Sequence, residues 1–127
     1  MQDKHLFEYA IIRIVPRVER EEFLNVGVII YCADEQFLKT KFFLNKDRLL
    51  NFSGDLEIEE LEKRLEAIEH ICNGDIEGGT IACLPIASRF RWLTAAKSTI
   101  VQTSAVHPGL CNNAKEELEK LFTELVS

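Results

Sequence analysis

The sequence has no long apolar run, so the first class of protein that it argues against is the membrane-spanning one. None of its hydrophobic stretches approaches the roughly 18 residues that a membrane-spanning helix requires, and its polar first residues lack the apolar core of a secretory signal. We therefore expect no membrane segment and a cytoplasmic location. Binding motifs are missing as well. There is no P-loop, dinucleotide fingerprint, HExxH or EF-hand pattern, so we expect no cofactor and no metal.

Cysteine is sparse, and its spacing is not that of a metal site. The four cysteines have 39, 10 and 27 residues between successive members, which fits no CxxC pattern of structural zinc. Free cysteines are usually buried, so we expect reduced core thiols. A zinc site is the alternative, and its ligands would be Cys72, Cys83, His107 and Cys111.

Negative charge is unevenly distributed along the chain. The 127 residues carry a net charge of −6, yet residues 55–77 hold nine acids and two bases, and residues 78–114 hold no acid. Overall acidity argues against a dedicated duplex-DNA binder, whose affinity comes from many phosphate contacts. The acid-free stretch leaves a local site for a phosphate-bearing ligand open.

Three apolar runs near the start predict an antiparallel meander. Alternation predicts strands at residues 7–15 and 37–44, and nearly continuous apolar character predicts a central strand at 24–32 that is buried on both sides. Gly27 within that strand indicates a bulge or a close backbone approach. In the first strand, Tyr9 and Arg13 share a face.

Helices follow the meander. Apolar spacing predicts a helix over residues 55–72, and asparagine caps predict helices over 45–52 and 113–126. The order of elements predicts one α+β domain over residues 1–127, with a mainly antiparallel sheet of the meander plus one or two later strands, and with helices packed on one face. The remaining segments are predicted as a short strand at residues 80–84, a helical turn or an irregular segment at 87–93, a longer strand at 98–106 and a turn at 107–109.

Arg13 is the first candidate site residue. It projects from a largely apolar strand, where an unpaired charge is costly, so it needs a carboxylate or several acceptors. Glu22, on the other arm of the predicted hairpin, can provide an ion pair. The alternatives are an anion-binding guanidinium at Arg13 and a catalytic base at Glu22.

The acid-free stretch contains the second candidate. Arg89, Arg91 and Lys97 supply positive charge, and Phe90 and Trp92 lie between them. This pattern suits a phosphate or a single-stranded nucleic acid, because guanidinium groups fork onto phosphate oxygens and rings stack on bases. In the alternative, the aromatic residues belong to the core and the arginines pair with the acidic helix.

Hydroxyl groups near a histidine form the third candidate. Ser98, Ser104 and His107 are compatible with a nucleophile and its base, but no GxSxG elbow or orienting acid accompanies them. Hydrogen bonding at a turn and a strand edge is the interpretation we favour.

Two runs resemble the signatures of a known family. The first combines YAIIRIVP with REEFLNVGV, and the second contains RFRWLT, STI, QTS and HPG. They are similar to the bacterial domain-of-unknown-function family 3037, and they bracket nearly the whole chain. The signature positions include the candidates Arg13, Glu22, Asn25, Arg89, Arg91 and His107.

The resemblance implies little about activity, since none is established for the family as a class. Members are often encoded beside HipA-like kinases, which implies a partner or regulatory role. We therefore expect an anion site of Arg13, Arg89, Arg91 and Lys97, supported by Glu22, Asn25, Trp92, Ser98 and His107.

Three functional hypotheses follow. The leading one is a non-catalytic interaction or regulatory module that binds a protein partner and can self-associate. The second is a binder of a phosphate-bearing ligand or single-stranded nucleic acid. The third is a small enzyme with Glu22 or His107 as its base. The anion site requires the guanidinium groups of Arg13 and Arg91 to open onto a common cleft.

Overall fold

A computed structural model describes residues 4–16, 22–95 and 99–126. Within these ranges the chain forms one five-stranded antiparallel sheet in the order β3-β2-β1-β4, and β5 pairs with the first half of β1. The predicted meander and the central position of β2 are confirmed. The strands are β1 His5–Ile14, β2 Leu24–Cys32, β3 Phe37–Phe42, β4 Val101–Thr103 and β5 His107–Cys111.

A β-bulge in β2 determines which residues lie beside Arg13. The register shifts there, so that Ile12 faces Gly27 while Arg13 faces Asn25, and Val26 is the extra residue. A Cβ atom at Gly27 would lie only 2.8 Å from two atoms of β3. The bulge and the close approach predicted at Gly27 are both confirmed.

Asparagine caps begin two of the helices, and a glycine ends another. Asn45 and Asn113 accept the backbone N–H groups of Arg48 and Glu116, as their predicted capping roles require. Gly74, with φ of 70°, ends the second helix. In the described parts of the chain, no helix has the length and apolar character needed to cross a membrane. The helices are α1 Lys46–Phe52, α2 Ile58–Asn73, a 3₁₀ turn Ile76–Gly78, α3 Gly79–Ala82, α4 Ile86–Thr94 and α5 Ala114–Leu125.

Helices cover both faces of the sheet. The α+β class with a mainly antiparallel sheet is confirmed, but α5 lies opposite α2 and α4, which corrects the expectation of helices on one face. The reason lies in β2, where Ile29 and Tyr31 are buried on one side and Val28 and Ile30 on the other. An apolar strand of this kind needs cover on both sides. We call the two sides the α2/α4 face and the α5 face.

The last third of the chain corrects three shorter predictions and decides a fourth. Residues 80–82 of the strand predicted at 80–84 belong to helix α3, and the helical alternative for 87–93 is the right one, since this segment lies within helix α4. The strand predicted at 98–106 is confined to β4, and the turn predicted at 107–109 belongs to β5. Ser104 separates the two strands, because its Oγ atom accepts the N–H of Ile11 at 2.8 Å in place of a backbone carbonyl.

Candidate functional site

Arg13 lies on the α5 face with an incompletely satisfied guanidinium. Odd-numbered residues of β1, such as Phe7, point to this face, so Arg13 lies on the same side as α5. Its Cζ atom lies 4.1 Å from the ring centre of Phe23, a cation–π contact. Its Nε atom is buried and has no hydrogen-bond partner among the described residues.

Asn25 provides a second unsatisfied atom beside Arg13. It faces Arg13 directly across β1 and β2. Its Nδ2 atom donates to the backbone carbonyl of Leu125, at the end of α5, at 3.2 Å. Its Oδ1 atom is buried and accepts no hydrogen bond within the described parts of the chain. A buried donor and a buried acceptor, on residues that face each other across two strands, therefore lack partners within the described ranges.

A cavity of about 190 Å³ opens beside Asn25. Its polar lining comes from Asn25, Asn45 and Arg48, and none of the described residues that line it is a carboxylate. Arg48 therefore adds a second positive charge to the surroundings of Asn25. We call Arg13, Phe23, Asn25 and Arg48 the Arg13–Asn25 site.

Two rings continue this face along β1. His107 of β5 pairs with Tyr9, and their ring centres are 5.4 Å apart. Tyr9 precedes Arg13 by four residues, which is about 13 Å along a strand. Thus Arg13, Asn25 and His107, three of the predicted site residues, share the α5 face.

Glu22 does not provide the expected ion pair. It is exposed at the start of β2, and in the part of the chain that the structure describes Arg13 contacts the Phe23 ring instead of a carboxylate. The predicted need of Arg13 for a compensating group is thus met in part by an aromatic face.

Arg89 is occupied by backbone carbonyl groups. Its Nη1 atom donates to the carbonyls of Ile71 and Cys72 at 2.8 and 2.9 Å, and its Nε atom donates to that of Leu84 at 3.0 Å. Two of these acceptors are in the last turn of α2, where a cation also meets the negative end of the helix dipole. Arg89 therefore caps α2 by donating to backbone carbonyls of the helix instead of pairing with the acidic side chains of the helix.

Arg91 lies on the other side of the sheet from Arg13. Its Nη1 atom is 3.2 Å from the carboxylate of Glu8, whose even-numbered position in β1 points to the α2/α4 face. The expected common cleft of Arg13 and Arg91 is therefore not formed. Trp92 is 42% exposed and lines a separate cavity of about 200 Å³ on that side. Lys97 and Ser98 lie outside the described residues.

The remaining candidates lie in surroundings that are typical of residues with a structural role. Ser104 is buried between β4 and β5, where its hydroxyl donates to the carbonyl of Ala105. Cys72 and Cys111 belong to the cores of opposite faces, so the alternative zinc set does not come together. Burial raises the pKa of the Cys72 thiol to about 12 and that of Cys111 to about 11. Both thiols are protonated at neutral pH.

Phe23 and Arg48 are site residues that sequence reasoning missed. Phe23 follows the connection between β1 and β2, and its distance from Arg13 depends on the path of that connection. Arg48 belongs to α1, and no sequence pattern links α1 to the start of β2. Two asparagines are the sequence signals that could have pointed to this site. Asn45 fixes the start of α1, and Asn25 faces Arg13 across the hairpin.

Comparison with models of protein families finds one family that matches nearly the whole chain. Residues 9–126 match the model of a family described as protein of unknown function (DUF3037). The chain belongs to the DUF3037 family. The match covers both signature runs, and it confirms the resemblance seen in the sequence. Comparison of this DUF3037 chain with curated proteins and with solved structures found no match.

Proposed function

We propose that this DUF3037 chain is a non-catalytic interaction module that binds an acidic segment of a protein partner at the Arg13–Asn25 site. The observation that carries the proposal is that two residues paired across β1 and β2 each hold a buried atom, Arg13 Nε and Asn25 Oδ1, without a hydrogen-bond partner among the described residues. A buried polar atom without a partner costs about 1–3 kcal/mol. A ligand that satisfies both atoms gains this free energy on binding.

The two atoms favour a ligand that carries both kinds of polar group. Arg13 donates hydrogen bonds, and guanidinium groups pair well with carboxylates. Asn25 Oδ1 accepts one, and a backbone N–H group of a peptide can donate it. Phe23, which is 44% exposed, adds an apolar surface beside the guanidinium. An acidic peptide segment matches all three features.

The surroundings of the candidate nucleophiles and bases support a non-catalytic role. The Ser104 hydroxyl is buried and hydrogen-bonded, and burial raises the pKa values of the Cys72 and Cys111 thiols. His107 packs on Tyr9, about 13 Å along β1 from Arg13. These positions give the alternative of an enzyme with Glu22 or His107 as base less support.

The partner implied by the family resemblance is a HipA-like kinase, and we keep it as part of the proposal. We also keep a bacterial source, a regulatory role and a cytoplasmic location, and the last of these fits the four cysteines, which are all free thiols. Free thiols are typical of a reducing compartment. Mixing the purified chain with the kinase encoded beside it, followed by size-exclusion chromatography, tests this pairing directly.

Partner capture with matched variants tests the proposed site. The wild-type chain, Arg13→Gln and Arg91→Gln are immobilised and exposed to extract of the native host, after circular dichroism has shown that each is folded. We expect one partner to be retained by the wild type and Arg91→Gln and lost with Arg13→Gln. Equal recovery of that partner by Arg13→Gln would contradict the proposal.

A phosphate-bearing ligand or a single-stranded nucleic acid is the second candidate. The observation that favours it is the line of Tyr9, His107 and Arg13 on one face, since rings and cations in series suit stacked bases and phosphates. Fluorescence anisotropy with a labelled single-stranded oligonucleotide tests it. Binding that weakens with salt and with Arg13→Gln would favour this candidate over the peptide.

A further inference from the structure

We infer that His70, Asp75 and Glu77 form a binding site for a first-row divalent metal ion such as Zn²⁺ at the end of α2. One nitrogen or oxygen atom from each of these three side chains lies within 4.8 Å of the others. α2 packs on the α2/α4 face, so this site is separate from the Arg13–Asn25 site and does not depend on the proposed function.

The local backbone brings the three residues together. Gly74 adopts a left-handed conformation, with φ of 70°, that reverses the chain after the last turn of α2. Asp75 then returns towards His70, and its Oδ2 atom lies 3.0 Å from Nδ1 of the imidazole. The following 3₁₀ turn, which carries Glu77, packs closely on α2, because a Cβ atom at Gly78 would lie 3.1 Å from the carbonyl oxygen of His70.

The spacing of these atoms fits metal coordination. Zinc binds nitrogen and oxygen ligands at about 2.0–2.2 Å, so neighbouring ligand atoms of one ion are about 3.0–3.5 Å apart. The distance of 3.0 Å between His70 and Asp75 falls within this range. Glu77 is exposed, so its side chain can move to complete the set. Three protein ligands leave coordination positions for water or a substrate.

The charges around the site also favour a cation. Asp75 and Glu77 follow the negative end of the α2 dipole, where carboxylates are unfavourable. Both carboxylate oxygens of Asp75 lie 3.0 Å from Nδ1 of His70, so the imidazole is the group that faces this carboxylate. Two cations that contact the end of α2 are used elsewhere, since Arg89 binds backbone carbonyls and Lys39 donates to the side chain of Asn73 at 2.8 Å.

The combination of one imidazole and two carboxylates selects the class of metal. Imidazole suits zinc, copper, iron and nickel, whereas sites for Ca²⁺ use six to eight oxygen ligands and Mg²⁺ keeps several waters. A nitrogen ligand at the centre of the cluster therefore points to a first-row transition ion or Zn²⁺. We use Zn²⁺ as the probe.

Calorimetric titration of the untagged, chelator-treated chain with ZnCl₂ tests the site. All proteins carry Cys83→Ser, because Cys83 is an exposed thiol and thiolates are zinc ligands. The test variants are His70→Asn and Glu77→Gln. The matched control is His5→Asn, since His5 forms a similar pair with Asp34 at 3.2 Å outside the cluster. Glu77 is exposed, so its variant decides the matter if His70→Asn fails to fold.

We expect one Zn²⁺ per chain in the Cys83→Ser parent and in His5→Asn. Both test variants should lose about tenfold or more in affinity, because even the loss of a residue that only supports a ligand costs that much. Zinc should also raise the melting temperature of the parent more than that of Glu77→Gln. Equal affinity in Glu77→Gln and the parent, an absence of zinc binding, or equally tight binding of Mg²⁺ would overturn the inference.

Discussion

The two faces of the sheet treat their arginines differently. On the α2/α4 face, Arg89 donates three hydrogen bonds to backbone carbonyls and Arg91 pairs with Glu8. On the α5 face, Arg13 contacts a ring, and its Nε atom has no hydrogen-bond partner among the described residues. Arginines of one predicted set thus divide into a helix cap, a surface ion pair and a candidate binding group.

This difference shows why an acid-free stretch does not by itself indicate available cations. Residues 78–114 contain no acid, yet Arg89 finds its acceptors in the backbone and Arg91 finds a carboxylate in β1, far away in sequence. Satisfied arginines stabilise the fold, whereas an incompletely satisfied one is a better candidate for binding. The same substitution at the three positions separates these roles.

Arg89→Met should have the largest effect on stability. It leaves the carbonyls of Ile71, Cys72 and Leu84 without their donors and removes a cation from the end of α2. We expect a loss of about 2–4 kcal/mol in the free energy of unfolding, measured by urea denaturation. A loss no greater than that of Arg91→Met would show that the cap is unimportant.

Arg13→Met should change stability little while abolishing partner binding. The variant loses the cation–π contact with Phe23 but retains an S–aromatic contact, and it removes a buried donor that has no partner in the part of the chain that the structure describes. We expect the free energy of unfolding to stay within about 1 kcal/mol of the wild type. Strong destabilisation together with normal partner capture would reverse the assignment of Arg13 and make it a structural residue.

Arg91→Met should have a smaller effect still. The side chains of Arg91 and Glu8 are 60% and 27% exposed, and solvent screens such a pair. We expect a change of less than about 0.5 kcal/mol in urea denaturation and unchanged partner capture. Loss of the partner with this variant would move the binding site to the α2/α4 face.

The stability contribution of His70 should decrease as the pH rises. The hydrogen bond to Asp75 raises the pKa of His70 above its ordinary value of 6.5, with the charges of Asp75 and Glu77 adding to it. Because the folded pKa is above the unfolded one, the contribution is complete below 6.5 and is lost as the pH passes the folded pKa. Urea denaturation without metal gives the free energies of unfolding of the wild type and of His70→Gln. The difference between the two should shrink as the pH rises. A growing difference would contradict the role of Asp75.

Local signals predicted much of the fold. The caps at Asn45 and Asn113 depend on neighbouring residues only, and they are where the sequence predicts them. β5 was missed because Pro108 and Gly109 are typical of a turn. In the structure Gly109 is required for another reason, since a Cβ atom there would lie 2.5 Å from the ring of Phe7.

The candidate site was only partly predictable. Alternation in β1 correctly placed Tyr9 and Arg13 on one face, because strand geometry is local. The partners of Arg89 could not be predicted, since every residue carries a carbonyl group and only the tertiary fold selects among them. Arg91 was predicted near Arg13, and the sheet separates them because α4 packs on the face opposite α5.

The most direct test of the difference between the faces is NMR of the arginine Nε–H groups. Spectra of the labelled chain are recorded during titration with a short glutamate-rich peptide, with assignments from the three Arg→Met variants. The account predicts that the Nε–H signal of Arg13 shifts with the peptide while those of Arg89 and Arg91 do not. A shift of the Arg91 signal with an unchanged Arg13 signal would contradict it.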